Sequence, residues 1–309
     1  MNDTAMNPGW SRRTFLKNAA LLPLAGLVAK AAESAAPTID SHVHVWTHDP
    51  RFQWAPETKS PPDREATAEQ LLALMKANGV SRTVIIQVIH YRWDNRYAAD
   101  VLKRYPQFFR GVARVNPQDP DAPDHLSRLT ENDGFRGVRL SPAADASGDW
   151  IRGPLMEPLW RRCRDLQVPM TILAPIGRMP DVMWWVDRFP ELTVVIDHMA
   201  DCPLNQPAEL EKLLALRRFP RVHVKISHAW SLSAQAFPYL DAQKQIRRIY
   251  DAFGPQRLMA GTDWPLVEKY CTYAEAIDLA RARIAFLNAD DRRWICGLTA
   301  EKVWFANGG

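Results

Sequence analysis

The first residues able to do chemistry are two histidines spaced two apart. His42 and His44 lie in the apolar, β-branched run Ile39–Trp46, which predicts a strand. Side chains alternate between the two faces of a strand, so Asp40, His42 and His44 are expected on one face, with the intervening valines on the other. Two imidazoles therefore converge on one point.

Two later apolar runs end in a histidine and an aspartate. One run begins at Leu192 and ends at His198, and another begins at Leu258 and ends at Asp263. Neutral imidazole and carboxylate oxygen are the usual ligands of a catalytic zinc ion, and a carboxylate is also a natural base for activating water. A lone His-x-His pair is a weak signal. Joined to His198 and Asp263, it predicts a catalytic site.

These residues need elements that bring them together, and the chain shows eight short strand signals. They are Ile39–Trp46, Arg82–Ile89, Arg110–Val115, Phe135–Leu140, Val168–Leu173, Leu192–His198, Val222–Ser227 and Leu258–Asp263. Helical patterns separate most of them. These are Ala66–Ala77, Asp94–Arg104, Leu155–Leu166, Asp181–Phe189, Ala208–Arg218, Lys244–Phe253 and Tyr273–Phe286.

This alternation predicts a single α/β domain over residues 37–309, folded as a (β/α)8 TIM barrel. A doubly wound open sheet is the alternative, but no Gly-x-Gly-x-x-Gly phosphate loop follows the first strand. In a TIM barrel the active site lies at the C-terminal ends of the strands. The histidines and Asp263 stand at those ends.

Residues 1–36 have the layout of a secretory signal. Paired Arg12 and Arg13 precede an apolar run at 19–29, and small residues follow near Ala36. The run is about half the ~20 residues that span a bilayer, so no stable membrane anchoring is expected. The arginine pair resembles a twin-arginine export signal, which implies the twin-arginine translocon as partner and a periplasmic protein. An amphipathic or uncleaved N-terminal helix is the alternative.

Composition excludes other classes. The 39 basic and 35 acidic residues leave a net charge of +4, and part of it belongs to the first 36 residues. A charge this small gives no reason to expect nucleic acid or an anionic membrane as partner. The hydrophobic content of 47% is typical of a globular protein.

Several motifs resemble the amidohydrolase superfamily. They are the Asp-x-His-x-His opening at 40–44, Val-Ile-Asp-His at 195–198 and Gly-Thr-Asp-Trp-Pro at 261–265. The run from His42 to Trp54, together with Val-Lys-Ile-Ser at 224–227, is similar to the amidohydrolase-2 branch of sugar lactonases and pyrone dicarboxylate lactonases. The resemblance covers the whole chain after the signal.

This resemblance implies a hydrolase that opens a small-molecule lactone, either a sugar lactone or a pyrone or muconolactone-type acid. Asp263 would move the proton, and His42, His44 and His198 would polarise the carbonyl or hold a metal. A metal-dependent non-oxidative decarboxylase of an aromatic acid is the alternative within the branch. A non-catalytic periplasmic binding protein is the alternative from another class.

The chain departs from the two-metal members of the superfamily. Those members carry a bridging lysine or glutamate at strand four and a histidine at strand five, whereas these strands end here in Leu140-Ser141 and Ala174-Pro175. The resemblance therefore implies at most one divalent ion, Zn²⁺, held by His42, His44, His198 and Asp263. A metal-free site is the alternative.

Further residues are candidates for substrate binding. Arg139 has inward parity and suits a substrate carboxylate, although a structural ion pair is an equal alternative. His228 follows strand seven and Gln87 ends strand two at the same mouth, and for His228 a loop histidine hydrated by water is the alternative. Of the 12 tryptophans, Trp46 and Trp264 stand at strand ends, where an aromatic face could stack on a ring-shaped substrate.

Overall fold

Eight parallel strands form the centre of the molecule in the computed structural model, which describes residues 36–141 and 150–306. Each strand is hydrogen-bonded to the next in chain order, so the predicted TIM barrel is confirmed. The strands are β1 (Ile39–Val43), β2 (Arg82–Ile86), β3 (Phe109–Arg114), β4 (Phe135–Leu140), β5 (Met170–Ile172), β6 (Val194–Ile196), β7 (Val222–Lys225) and β8 (Leu258–Met259). The predicted signal at 1–36 lies outside the described residues, apart from Ala36, and stays a prediction.

Helices cover the outside of the barrel in the described part of the chain. They are α1 (Ala68–Asn78), α2 (Arg96–Arg104), α3 (Ala122–Asn132), α4 (Met156–Asp165), α5 (Met179–Arg188), α6 (Glu211–Leu214), α7 (Ala229–Leu232), α8 (Leu240–Phe253), α9 (Tyr273–Asp278) and α10 (Ala289–Arg293). The helix α3 was not predicted. It buries only Ala122 and Leu126, which is too short an apolar stripe to give a helical signal. None of the described helices is long and apolar enough to cross a membrane.

The barrel interior changes from apolar to polar along its axis. Its lower part holds a cluster of aliphatic strand residues closed from below by Trp304 and Phe305 near the C-terminus. Gly137 admits this plug, because a side chain there would meet the Trp304 ring at 2.8 Å. The upper part, at the C-terminal ends of the strands, holds the buried histidines and charged residues. The packed apolar layer therefore supports those polar groups from below.

The barrel closes between β1 and β8 through backbone hydrogen bonds that continue past the ends of the two strands. Ser41 donates its N–H to the carbonyl of Ala260 at 3.0 Å, and Asp263 donates to the carbonyl of His42 at 2.8 Å. His44 donates to the carbonyl of Trp264 at 2.7 Å. The two ends of the sheet are thus joined at the level of the predicted site.

His223 on β7 makes the stability of the barrel sensitive to acid. Burial lowers the pKa of this imidazole from its ordinary 6.5 to about 4. The unfolded chain therefore binds one proton more than the folded protein between these values, and stability falls as the pH drops below 6.5. The parent protein should lose unfolding free energy as the pH falls from roughly 7.5 to 5.5. We expect this loss to be smaller by about 1 kcal/mol in His223→Asn, as measured by urea denaturation.

The control for this measurement is His125→Asn, because the side chain of His125 is 40% exposed. Its loss of unfolding free energy over the same interval should equal that of the parent protein. An unchanged pH dependence in His223→Asn would show that His223 does not titrate as described.

Candidate active site

The β1–β8 seam places Asp263 between the two histidines of the first strand. Its Oδ1 atom lies 3.3 Å from His44 Nε2 and 3.6 Å from His42 Nε2. Gly261 allows this approach, since a side chain there would lie 2.7 Å from the Cβ of His42. The predicted convergence of His42, His44 and Asp263 is therefore present in the structure.

The local strand geometry differs from the predicted alternation at one point. A register shift between Asp40 and Val43 interrupts the pairing of β1 with β2. Ile39 consequently lies in the inner cluster while Val43 lies in the outer one. The prediction that Asp40 shares a face with His42 and His44 is wrong. Its carboxylate instead accepts hydrogen bonds from Thr262 at the seam.

His198 and His228 extend the site from β6 and β7. The rings of His198 and His42 are 4.5 Å apart, and those of His198 and His228 are 4.3 Å apart. Ser227 is hydrogen-bonded to Nδ1 of His198 at 2.8 Å, and Nε2 of His228 lies 3.5 Å from Asp263 Oδ2. The structure thus brings His198 and His228 to Asp263 and His42.

A buried ion network lies beneath the histidines. Asp197 binds Arg139 through Oδ2 at 2.9 Å and Lys225 through Oδ1 at 3.1 Å. The Lys225 ammonium also lies 3.2 Å from His42 Nδ1. The side chains of Asp197 and Lys225 are fully buried, and that of Arg139 is 5% exposed. The ion-pair alternative for Arg139 is therefore realised, with Asp197 as its partner.

Burial and neighbouring charge set the ionisation of these groups. Burial lowers the pKa of His42 to about 3, and the charge of Lys225 acts in the same direction. Burial also lowers the pKa of His198. For Asp263, burial alone would raise the pKa, but the nearby imidazoles of His44, His198 and His42 outweigh burial and lower it. The site therefore offers neutral imidazoles at His42 and His198, and an ionised carboxylate.

These donors fit a divalent metal ion. One nitrogen each from His42 and His44 and one oxygen from Asp263 lie within 4.8 Å of one another, and His42, Asp197 and His198 form a second such group. Among the described residues, His42 Nε2 and Asp263 Oδ1 are buried without a hydrogen-bond partner. His44 Nδ1 bonds the carbonyl of Ile86 at 2.8 Å, which leaves the lone pair of the neutral ring on Nε2. The three-residue group could bind a metal.

Three predicted substrate contacts have other partners in the structure. Trp46 and Trp264 are each 3% exposed, and their indole N–H groups donate to the carbonyl of Arg64 and to Glu268. Gln87 donates its amide N–H to the carbonyl of Asp94 at 2.6 Å. Their contact with substrate stays a prediction.

Sequence reasoning gave no role to Asp197 or Lys225. Each stands inside a motif noted for its resemblance, Val-Ile-Asp-His and Val-Lys-Ile-Ser. A lysine within an apolar run, at the same parity as Ser227, is the signal that could have identified Lys225. Arg114 was also missed. It follows the inward-facing Val112 by two residues, and it is fully buried.

Comparison with known proteins gives one family. A sequence model described as Amidohydrolase matches residues 39–306. An L-fucono-1,5-lactonase from Burkholderia ambifaria is 31% identical over 232 residues, or 74% of this chain and 80% of that protein. A 2-pyrone-4,6-dicarboxylate hydrolase from Comamonas testosteroni is 29% identical over 242 residues, or 74% and 77%.

A solved structure supports the same fold. The crystal structure of an amidohydrolase from Burkholderia multivorans with bound zinc superposes with a TM-score of 0.71 at 24% identity. The match covers 87% of this chain and 99% of that one. At this identity the likeness concerns the fold alone.

Asp40 fixes the backbone that carries Asp263. Its carboxylate accepts from the N–H of Thr262 at 2.9 Å, from the Thr262 hydroxyl at 2.6 Å and from the N–H of His42 at 3.2 Å. We expect Asp40→Ala to lower the free energy of unfolding by about 3 kcal/mol, because it leaves buried donors without an acceptor. Chemical denaturation measures this change.

Asp40→Asn is the matched variant, because it keeps one acceptor oxygen and the same shape. It should lose less stability than Asp40→Ala. Equal stability of Asp40→Ala and the parent protein would show that this carboxylate does not hold the seam.

Proposed function

The chain belongs to the amidohydrolase family, and we propose that it is a hydrolase that opens a lactone ring with water activated by Asp263. The observation that carries this proposal is the ionised carboxylate of Asp263, held within 3.6 Å of three imidazole nitrogens at the C-terminal mouth of the barrel. A carboxylate in this position is a base placed among groups that stabilise developing negative charge.

Asp263 would act first as base and then as acid. Its carboxylate accepts a proton from water as the water oxygen bonds to the lactone carbonyl carbon. The ring C–O bond then breaks, and Asp263 returns the proton to the leaving ring oxygen, so that the product is a ring-opened acid. Because its pKa lies below the usual range, Asp263 is ionised before each cycle and holds the proton only briefly.

We propose one Zn²⁺ at His42, His44 and Asp263, with His198 beside them. When bound, the ion would supply Lewis-acid polarisation of the lactone carbonyl. His44 is already oriented for this role by its hydrogen bond to the carbonyl of Ile86. The unpartnered His42 Nε2 and Asp263 Oδ1 support the proposal.

The charges at the mouth favour a lactone that carries a carboxylate. Arg114 on β3 is fully buried, and its pKa is lowered by burial and by the charges of Arg139 and Arg92. Arg114 and Arg139 are register partners on the adjacent strands β3 and β4, although Asp197 already binds Arg139. A substrate carboxylate would reduce the repulsion among these cations.

A neutral sugar lactone is the second candidate, and an aromatic surface favours it. The Trp230 ring stacks on Tyr270 at 4.4 Å and meets the ring of His228 edge-on at 4.1 Å. Tyr270 is 56% exposed, so this surface reaches from Asp263 to solvent. Aromatic faces of this kind pack against the apolar side of a sugar ring.

The function is tested with a panel of pyrone and muconolactone-type acids and neutral sugar lactones. We expect ring opening of at least one class, with kcat/KM reduced about 10²–10⁴-fold in Asp263→Asn. Preference for acidic lactones would support the arginine cluster as the binding site, whereas preference for sugar lactones would favour the second candidate. The rates are measured by acid release.

Asp251→Asn is the control for this variant, because it makes the same change of a carboxylate to an amide on α8, where Asp251 pairs with Arg247. It should retain the parent rate within a few-fold. Release of carbon dioxide instead of a ring-opened acid would replace the proposal with a decarboxylase. Saturable binding of an unchanged lactone would replace it with a binding protein.

The metal proposal is tested through His44→Gln. Removal of a direct ligand should weaken Zn²⁺ binding by more than the roughly 10–100-fold typical of losing an outer partner. Competition with a chromogenic chelator measures the affinity. His90→Gln is the control, since His90 lies near this site but outside both candidate metal groups. Equal affinities of His44→Gln and the parent protein would overturn the proposed zinc site.

A further inference from the structure

We propose that Lys225 is a positioning residue that selects the tautomer of His42 and thereby weakens the binding of a divalent ion at His42, His44 and Asp263. The proposal deepens the metal part of the proposed function and rests on the same site. Its readouts are metal affinity and the position of a ring proton, so they do not depend on which lactone is hydrolysed.

The contact between Lys225 and His42 fixes where the ring proton lies. The ammonium is 3.2 Å from His42 Nδ1, and both side chains are fully buried. An ammonium only donates hydrogen bonds, so Nδ1 must be the acceptor and carry no proton. A neutral ring then carries its proton on Nε2, which faces Asp263 Oδ1 at 3.6 Å. A protonated Nε2 has no lone pair for a metal.

The other histidine of the same strand has the opposite arrangement. His44 Nδ1 bonds the carbonyl of Ile86, so its proton is on Nδ1 and its Nε2 lone pair is available. One ligand of the group is thus ready for a metal, whereas the other holds a proton in its place. Because of this difference, the weak binding of a metal ion at this group is attributed to His42.

Asp197 provides the alternative partner that metal binding would need. Its Oδ1 lies 3.4 Å from His42 Nδ1 and 3.1 Å from the Lys225 ammonium, so it can accept a proton from either group. If His42 Nδ1 donates its proton to Asp197, the contact with Lys225 is lost and Nε2 becomes a ligand. Lys225 and Asp197 therefore favour opposite tautomers of the same ring.

A variant of Arg139 distinguishes the effect of the Lys225–His42 hydrogen bond from the effect of charge alone. Arg139 binds the other oxygen of Asp197, Oδ2, through Nε at 2.9 Å, whereas Lys225 bonds His42 directly. Arg139→Met removes one positive charge from the network and keeps the Lys225–His42 contact. Lys225→Met removes one positive charge and this contact together. The two variants are therefore matched in charge and differ in the hydrogen bond.

The first experiment measures Zn²⁺ affinity of the two variants and the parent protein by competition with a chelator at one pH. We expect Lys225→Met to bind Zn²⁺ about 10-fold or more tightly than the parent, with Arg139→Met changed by less than about 3-fold. An affinity of Lys225→Met equal to or below that of the parent would overturn the proposal. A gain as large in Arg139→Met would also overturn it, because charge alone would then explain the effect.

The second experiment needs no variant of Lys225, whose replacement could prevent folding. Imidazole ¹⁵N resonances of the metal-free protein report which nitrogen of His42 carries the proton, and the spectrum of His42→Asn identifies the signal. We expect the proton on Nε2 without metal and on Nδ1 after addition of Zn²⁺. A proton on Nδ1 in the metal-free protein would contradict the proposed role of Lys225. Absence of lactonase activity would leave this result unchanged.

Discussion

The closure of the barrel between β1 and β8 is the constraint on which the site depends. The same hydrogen bonds that complete the sheet also set the distance from Asp263 to His42 and His44. Gly261 removes the steric barrier to this approach, and Asp40 holds Thr262 beside it. The Asp263 carboxylate is therefore positioned by the closure of the barrel.

The buried charges of Asp197, Lys225 and Arg139 are stable at one mouth because they compensate one another. Asp197 binds Lys225 and Arg139, and burial alone would raise the pKa of Asp197, but these cations and His42 lower it. Burial and the charge of Lys225 favour the neutral form of His42, whereas the charge of Asp197 opposes it. The ion network and burial together thus set the ionisation of His42.

Sequence periodicity was sufficient for the barrel and for four of its site residues. All eight strands begin within two residues of their predicted starts, and His42, His44, His198 and Asp263 meet as expected. The bulge in β1 was not predictable, because it depends on how β1 pairs with β2 and not on local composition. The roles of Asp197 and Lys225 were equally hidden, since a partner 28 residues away in the chain is set by the register of β6 and β7.

Backbone conformation explains why chemistry is concentrated where the strands end. His198, His228 and Asp263 have positive φ angles of 51°, 66° and 63°, which cost residues with a side chain roughly 1–2 kcal/mol each. Glycine would relieve this strain at all three positions but would remove the imidazoles and the carboxylate. The strain is instead supported by contacts specific to the side chains, including Ser227 with His198 and Asp201 with His228. Contacts of this kind hold the functional groups in the site. The strained turns therefore keep these side chains directed into the barrel mouth.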